Sequence, residues 1–225
     1  MEITDWHLNP MFTVQQLAAE KVSSIDVFED QVRGWVLDFA EELARKEDSG
    51  IAVLMLATSY LEPIERFRSG QVNADSGQLF KRSVRRVFPE IDATSMPERV
   101  AGILFDHLRA GLFHAGLIKP LLVLVPKGEP IRIELANQKM WAIKINAARF
   151  LGRVMEDFKD YICQLRSGKD QQLLDNFNKM WRERGGLLGS SHSAHTTDLL
   201  PASGQTGTAT NTSPSIDPNR FMKTM

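Results

Sequence analysis

Cysteine is almost missing from this chain: Cys163 is the single one in 225 residues. One thiol cannot close an internal disulfide, so nothing points to an oxidising compartment. It sits in a helical pattern between Ile162 and Leu165, where a packed, inert thiol is expected rather than a nucleophile. An excess of one charge is missing too. The formal net charge is −1, so no global field draws nucleic acid or anionic membrane, and a nucleic-acid contact would need a local basic patch. No apolar stretch approaches the roughly 20 residues that span a bilayer; the longest, such as Leu121 to Val125, fall far short. The opening MEITDWHLNP has no basic segment followed by an apolar one, so no secretory signal is expected and the reading is cytoplasmic. Also absent are a GxxxxGK[ST] loop, a CxxC pair, HExxH and GxSxG, which argues against an NTPase, a zinc enzyme and an α/β-hydrolase. No cofactor and no metal is called for. His192 and His195 bring no further ligands with them, a weak basis for a zinc site.

What remains is ordinary for a globular protein: 43% hydrophobic and 24% charged residues. From residue 185 the composition shifts to Ser, Thr, Gly, Ala and Pro with few large apolar residues. Such a segment buries too little surface to offset its ordering entropy, so residues 185–225 read as a disordered tail and residues 1–184 as the folded domain. Within that domain Ser23 or Ser24 caps a helix running to about Glu47, with Phe28, Val32, Trp35, Phe39 and Leu43 as its apolar stripe. After Gly50 a second helix sets Ile51, Leu54, Met55, Thr58, Leu61 and Ile64 on one side, and Pro63 should kink or break it. A loop over 69–77 leads to a short helix over 78–88. SMPE at 95–98 then reads as a capping box with Ser95 as N-cap, opening a helix that runs to Ala115 and ends at Gly116. PLLVLVP, IRIEL and WAIKI read as a small antiparallel insertion over 119–145. Asn146 caps a helix through Phe150, Val154, Phe158 and Ile162, and a last helix carries Leu173, Leu174, Phe177 and Trp181. The fold class is therefore mainly α: a helical bundle with a small antiparallel β-insertion after the fourth helix.

The chemistry concentrates in LRAGLFHAG at 108–116. On a regular helix Val100, Ile103, Leu104, His107, Leu108, Gly111 and His114 share one broad face, with Arg109 nearly opposite. His107 and His114 are two turns apart, roughly 10 Å of rise, too far to share one zinc. The structural alternatives are a partly buried His114 near a helix C-terminus, a solvated Arg109 and a core-edge His107. In a straight helix Arg109 and His114 point about 140° apart, so a joint role needs a kink near Gly111, a curled arginine, or a second subunit.

Arginine, four residues and histidine within LFDHLRAGLFHAG, following the earlier stretch MLATSYLEPIERF at 55–67 with its Glu62, resembles the HEPN superfamily, all-helical domains named for higher eukaryote and prokaryote nucleotide binding. The resemblance covers about residues 27–118. It implies a metal-independent endoribonuclease, commonly a homodimer with the two motifs meeting at the interface, often within a toxin–antitoxin or other defence system. It implies Arg109 and His114 as catalytic residues and RNA, an antitoxin or another protein as partner. The residue after the arginine is commonly polar in that family. Here it is Ala110, which removes a hydrogen-bonding group and keeps open a catalytically inactive RNA- or protein-binding dimerisation module.

An imidazole titrates near neutral pH and can take a 2′-hydroxyl proton, and a guanidinium offers two parallel donors to a phosphate. Lys81, Arg82, Arg85 and Arg86 in KRSVRR share one helix side, a candidate RNA-binding patch whose structural alternative is a solvated charged face. Glu62 and Glu65 are candidates to orient a ring or an arginine, or simply surface glutamates.

Overall fold

Short polar residues set where the helices start. In the computed structural model, which describes residues 11–136 and 139–185, Ser23 accepts from the Asp26 amide and the Asp26 carboxylate accepts from the Ser23 amide. This capping box opens α2, Ser24–Val32, after a first short helix α1, Val14–Ala18. A π-helical turn, Arg33–Leu37, joins α2 to α3, Asp38–Ala44. Asp75 and Asn146 likewise cap α5, Ser76–Val87, and α7, Ala147–Ser167, by accepting from the third amide of each helix. Between α3 and α5 lies α4, Gly50–Ser69, which continues through Pro63 without a break and ends at left-handed Gly70.

The capping box expected at SMPE does not form. Helix α6, Pro97–Ile103, starts from Met96, and Thr94 serves the local backbone instead, donating to the Ile91 carbonyl and accepting from the Met96 amide. Past Ile103 the helix widens into π-helical winding over Leu104–Arg109 and again over Gly111–Ala115, ending at left-handed Gly116. The strands follow: β1 Leu122–Leu124, β2 Ile131–Ala136 and β3 Lys139–Ile145. Helix α8, Gln171–Met180, and a π-helical turn, Trp181–Gly185, close the described chain.

The chain is thus mainly helical with a small sheet inserted after α6. The sheet departs from an all-antiparallel meander. Its order is β1-β3-β2: β2 and β3 form the antiparallel hairpin, while β1 runs parallel to β3. The reason lies in the register. Leu122 and Leu124 pair with Ile143 and Ile145, which pair on their other side with Ile133 and Ile131, giving one apolar face that covers the bundle. The opposite face holds Glu134 between Arg132 and Lys144, whose hydrogen bonds, from Lys144 first and then Arg132, hold its carboxyl below the usual range.

The core is one cluster in which α4 is central. Leu54, Leu61 and Ile64 pack with Leu37, Phe80, Leu104, Leu108, Phe150 and Phe158. Phe28, Phe67 and Phe177 form its aromatic end, with Phe28 and Phe67 centroids 4.6 Å apart. Two expected core residues are not in it: Trp35 is 53% and Phe39 55% exposed. The π turn at 33–37 adds residues to one turn and shifts the helix phase, so Leu37 and Ala40 face inward in their place. Met55 is also exposed. Cys163, expected to be packed, is exposed, because Tyr161, Ile162 and Leu165 take the inward positions of α7.

Residues beyond 185 lie outside the described residues, and with them all but the first residue of the expected tail over 185–225 and both His192 and His195. The chain divides into two units, Met1–Ser190 and Ser191–Met225, and every described residue belongs to the first. Among the described residues no helix is long and apolar enough to cross a membrane.

Candidate active site around Arg109 and His114

Four apolar residues recur at strict four-residue spacing: Val100, Leu104, Leu108 and Leu112, each 0–1% exposed. In an α-helix such a row drifts by about 40° per step. A π-helix, bonded from each carbonyl to the amide five residues on, has more than four residues per turn and drifts the other way, so α winding followed by π winding holds the row near one line. The Ala110 and Gly116 amides donate to the Phe105 and Gly111 carbonyls in this way. The same winding changes the relation of Arg109 to His114. Five residues apart, they diverge by about 140° on an α-helix, but π winding brings such a pair toward the same side.

The phase slip also revises one histidine expectation. His114 is exposed rather than partly buried. It has no hydrogen bond or ion pair among the described residues, so its ring is open to solvent. His107 is half-buried and serves as a latch: its Nδ1 donates to the Pro120 carbonyl at 2.5 Å, and its own carbonyl accepts from the Lys119 amide at 3.2 Å. Together with the Leu117 amide donating to the Gly111 carbonyl, these bonds fold residues 117–120 back along the helix.

Arg109 is fixed from three sides. Its Nη2 donates to Glu62 Oε2 at 3.0 Å, joining two residues 47 positions apart. The Phe105 and Phe113 rings, one α-helical turn before and after it in sequence, flank the guanidinium at 5.8 and 5.7 Å, contacts worth about 0.5–1 kcal/mol each at partly exposed sites. Nη1 and Nε have no partner among the described residues and remain free to donate.

Glu62 is itself held. Its Oε1 accepts from the Ser76 hydroxyl at 2.7 Å and from Arg66 at 3.3 Å. Burial pushes its carboxyl up, but hydrogen bonds from Ser76 and Arg109, the Arg109 charge and the Arg66 hydrogen bond together outweigh that and hold it below its usual value. Arg66 is 6% exposed and also donates to the Val72 carbonyl at 2.7 Å, with longer bonds to Gln71 and Ala74. It clamps the α4–α5 loop and thereby places Ser76. Glu62 stands out in the sequence as a candidate, whereas Ser76 and the Arg66 clamp do not. Arg66 four residues after Glu62 was the available signal, since that spacing places both on one helix face.

The structure does not bring the basic row of α5 to this site as free charge. Arg82 lies 3.7 Å from Glu65, and Arg86 pairs with Glu65 at 3.2 Å and with Asp157. Arg85 pairs with Asp92 and Glu98. Lys81 makes no ion pair among the described residues. Asp157 is the hub of this network, also accepting from Tyr60 at 2.7 Å; burial first, then the Asp157 charge, pushes the Tyr60 hydroxyl well above its ordinary value. Glu65 thus orients Arg82 and Arg86 rather than a catalytic ring. Among the described residues no group of histidine, cysteine and carboxylate side chains is placed to hold a metal ion.

The chain matches no family model, no curated protein and no solved structure.

Proposed function

We propose that this chain is a HEPN-like, metal-independent endoribonuclease that acts as a cytoplasmic homodimer in a toxin–antitoxin or defence setting. The observation that carries the reading is the Glu62–Arg109 ion pair at 3.0 Å, which aims a guanidinium with two unoccupied nitrogens along the same helix segment as an exposed imidazole. In the reaction, neutral His114 takes the proton from an RNA 2′-hydroxyl, and that oxygen attacks the adjacent phosphorus. The bond to the 5′-oxygen breaks and that oxygen takes a proton from water, giving a 2′,3′-cyclic phosphate and a 5′-hydroxyl. Arg109 donates to the phosphate oxygens while charge builds on them.

The test is mixed RNA incubated with the protein in excess chelator. Cleavage to cyclic-phosphate ends is expected. His114→Ala should slow it by about 10²- to 10⁴-fold, and Arg109→Ala with His114→Ala should abolish it. Cleavage that persists in the double variant sinks the proposal. Ala110 and the carboxylate partners of Arg82, Arg85 and Arg86 favour a second reading, a catalytically silent RNA- or protein-binding dimerisation module. Retention of RNA on the wild-type protein without any cleavage selects it.

A further inference from the structure

The two longest helices begin side by side. A methyl group placed on Gly50 would sit 3.7 Å from the Ala147 Cβ and 3.5 Å from Leu124. The positive dipole ends of α4 and α7 therefore abut, an arrangement that disfavours itself unless negative charge lies between them. Neither helix supplies that charge, for neither has an acidic residue in its first turn. Nor does Ser49 cap α4. Its hydroxyl turns away and donates to the Leu43 and Lys46 carbonyls, leaving the first amides of α4 without a side-chain acceptor among the described residues.

These ends open into a cleft of about 430 Å³ between the α3–α4 loop, the end of β1 and the start of α7, a volume in the range of small-molecule sites. Ile51, Leu124, Val125 and Pro126 give it apolar walls, and Lys46 and Asp48 stand among its lining residues. A second, independent feature points into the same space. Asn146 lines the cleft and is 5% exposed. Its Oδ1 is used in capping, accepting from the Arg149 amide at 2.9 Å, while its Nδ2 has no partner among the described residues. That nitrogen is therefore still available to donate to an acceptor in the cleft. Asp48 is the one carboxylate lining the cleft; it is exposed and bonds to neither set of amides.

We propose that this cleft binds a small oxyanion, a carboxylate or phosphate carried on an apolar body. Asn146 Nδ2 and the amides of Gly50, Ile51, Ala147 and Ala148 are its donors, and Lys46 is its counter-charge. The site uses neither Arg109 nor His114 and stands apart from the nuclease reading.

The experiment titrates the full-length chain with inorganic phosphate and, separately, with acetate, each at constant ionic strength against chloride, following backbone amide shifts by NMR. A saturable shift confined to Gly50, Ile51, Ala147 and Ala148 is expected, and whichever oxyanion saturates first names the headgroup. Asn146→Asp keeps the capping oxygen, since aspartate and asparagine cap equally well, but replaces the free donor with negative charge. Affinity should fall by at least about tenfold, a change readily resolved in a titration. Ala148→Asp adds an acid where the helix dipole favours it, so it should fold, melt higher and also lose the oxyanion. Shifts that never saturate, that chloride reproduces, or that are unchanged in both variants overturn the proposal.

Discussion

Glu62 shows how a single carboxylate ties stability to site geometry. Three donors converge on it, and only Arg109 among them reaches toward the proposed chemistry. Glu62→Gln removes the charge while keeping the shape, so it should cost about 1–3 kcal/mol, the usual penalty for spoiling a largely buried charged hydrogen bond. The cost depends on pH in a defined direction. The folded carboxyl titrates below its usual value of 4.5, so ionised Glu62 favours the folded state. That contribution is complete above about pH 4.5 and disappears as pH falls through the lower folded value. Urea unfolding at pH 7, 5 and 3 should therefore show the gap between wild type and Glu62→Gln closing toward pH 3. A gap of constant size would mean that Glu62 acts by shape alone. The same reasoning makes Glu62→Gln a positioning variant in cleavage assays: it should lower kcat while His114 stays intact. A core residue gives the contrast. Phe80 is fully buried, so Phe80→Ala should cost about 3–5 kcal/mol at every pH in that series.

At the scale of elements, the π-helical segments decide what the sequence could disclose. Helix positions, the Asn146 cap and the three strands were legible because periodicity and capping chemistry are local. The facing of Trp35, Phe39 and His114 was not, because a straight wheel assumes one winding throughout. The sign of the change was nonetheless present, in the four-residue recurrence of Val100, Leu104, Leu108 and Leu112. The β1–β3 pairing was hidden for another reason: it joins residues about twenty positions apart around a hairpin, and no turn residue specifies it. Of the site, Arg109, His114 and Glu62 were visible as residue types, whereas the contact between Arg109 and Glu62 needed the helices to be packed. Two glycines test the winding. At Gly111 an added methyl would meet the Leu117 carbonyl at 2.7 Å. Gly111→Ala should thus destabilise the protein by about 1–3 kcal/mol, the cost of overpacking, despite alanine's better helix propensity. At Gly152, within α7, nothing lies within 4 Å, and Gly152→Ala should stabilise by about 0.5–1 kcal/mol. Denaturation midpoints moving in the same direction for both variants would contradict the fold-back of residues 117–120.

The whole molecule poses the question of what covers the end of the bundle where Arg109 and His114 lie. Phe113, Leu117 and Leu121 are 44%, 70% and 36% exposed, all within nine residues of one another and of His114. Single exposed apolar residues are commonplace, but three so close in sequence, beside a charged site, are suited to a protein interface whose centre excludes water. In the proposed nuclease that interface is the homodimer, which would bring a second Arg109 and His114 to the same phosphate. Leu117 is the sharpest probe because it is the most exposed of the three, so replacing it leaves the core untouched. Wild-type protein should sediment at twice the chain mass, with a dimer fraction that grows with concentration. Leu117→Glu should sediment as a monomer with an unchanged urea midpoint, and RNA cleavage should fall with the dimer. Recovery of cleavage when Leu117→Glu is mixed with a Leu117→Lys chain would show that pairing, rather than the leucine itself, is what the reaction needs. A wild-type protein that stays monomeric at the concentrations where it cleaves RNA would remove the second subunit from the mechanism and leave these residues to another partner.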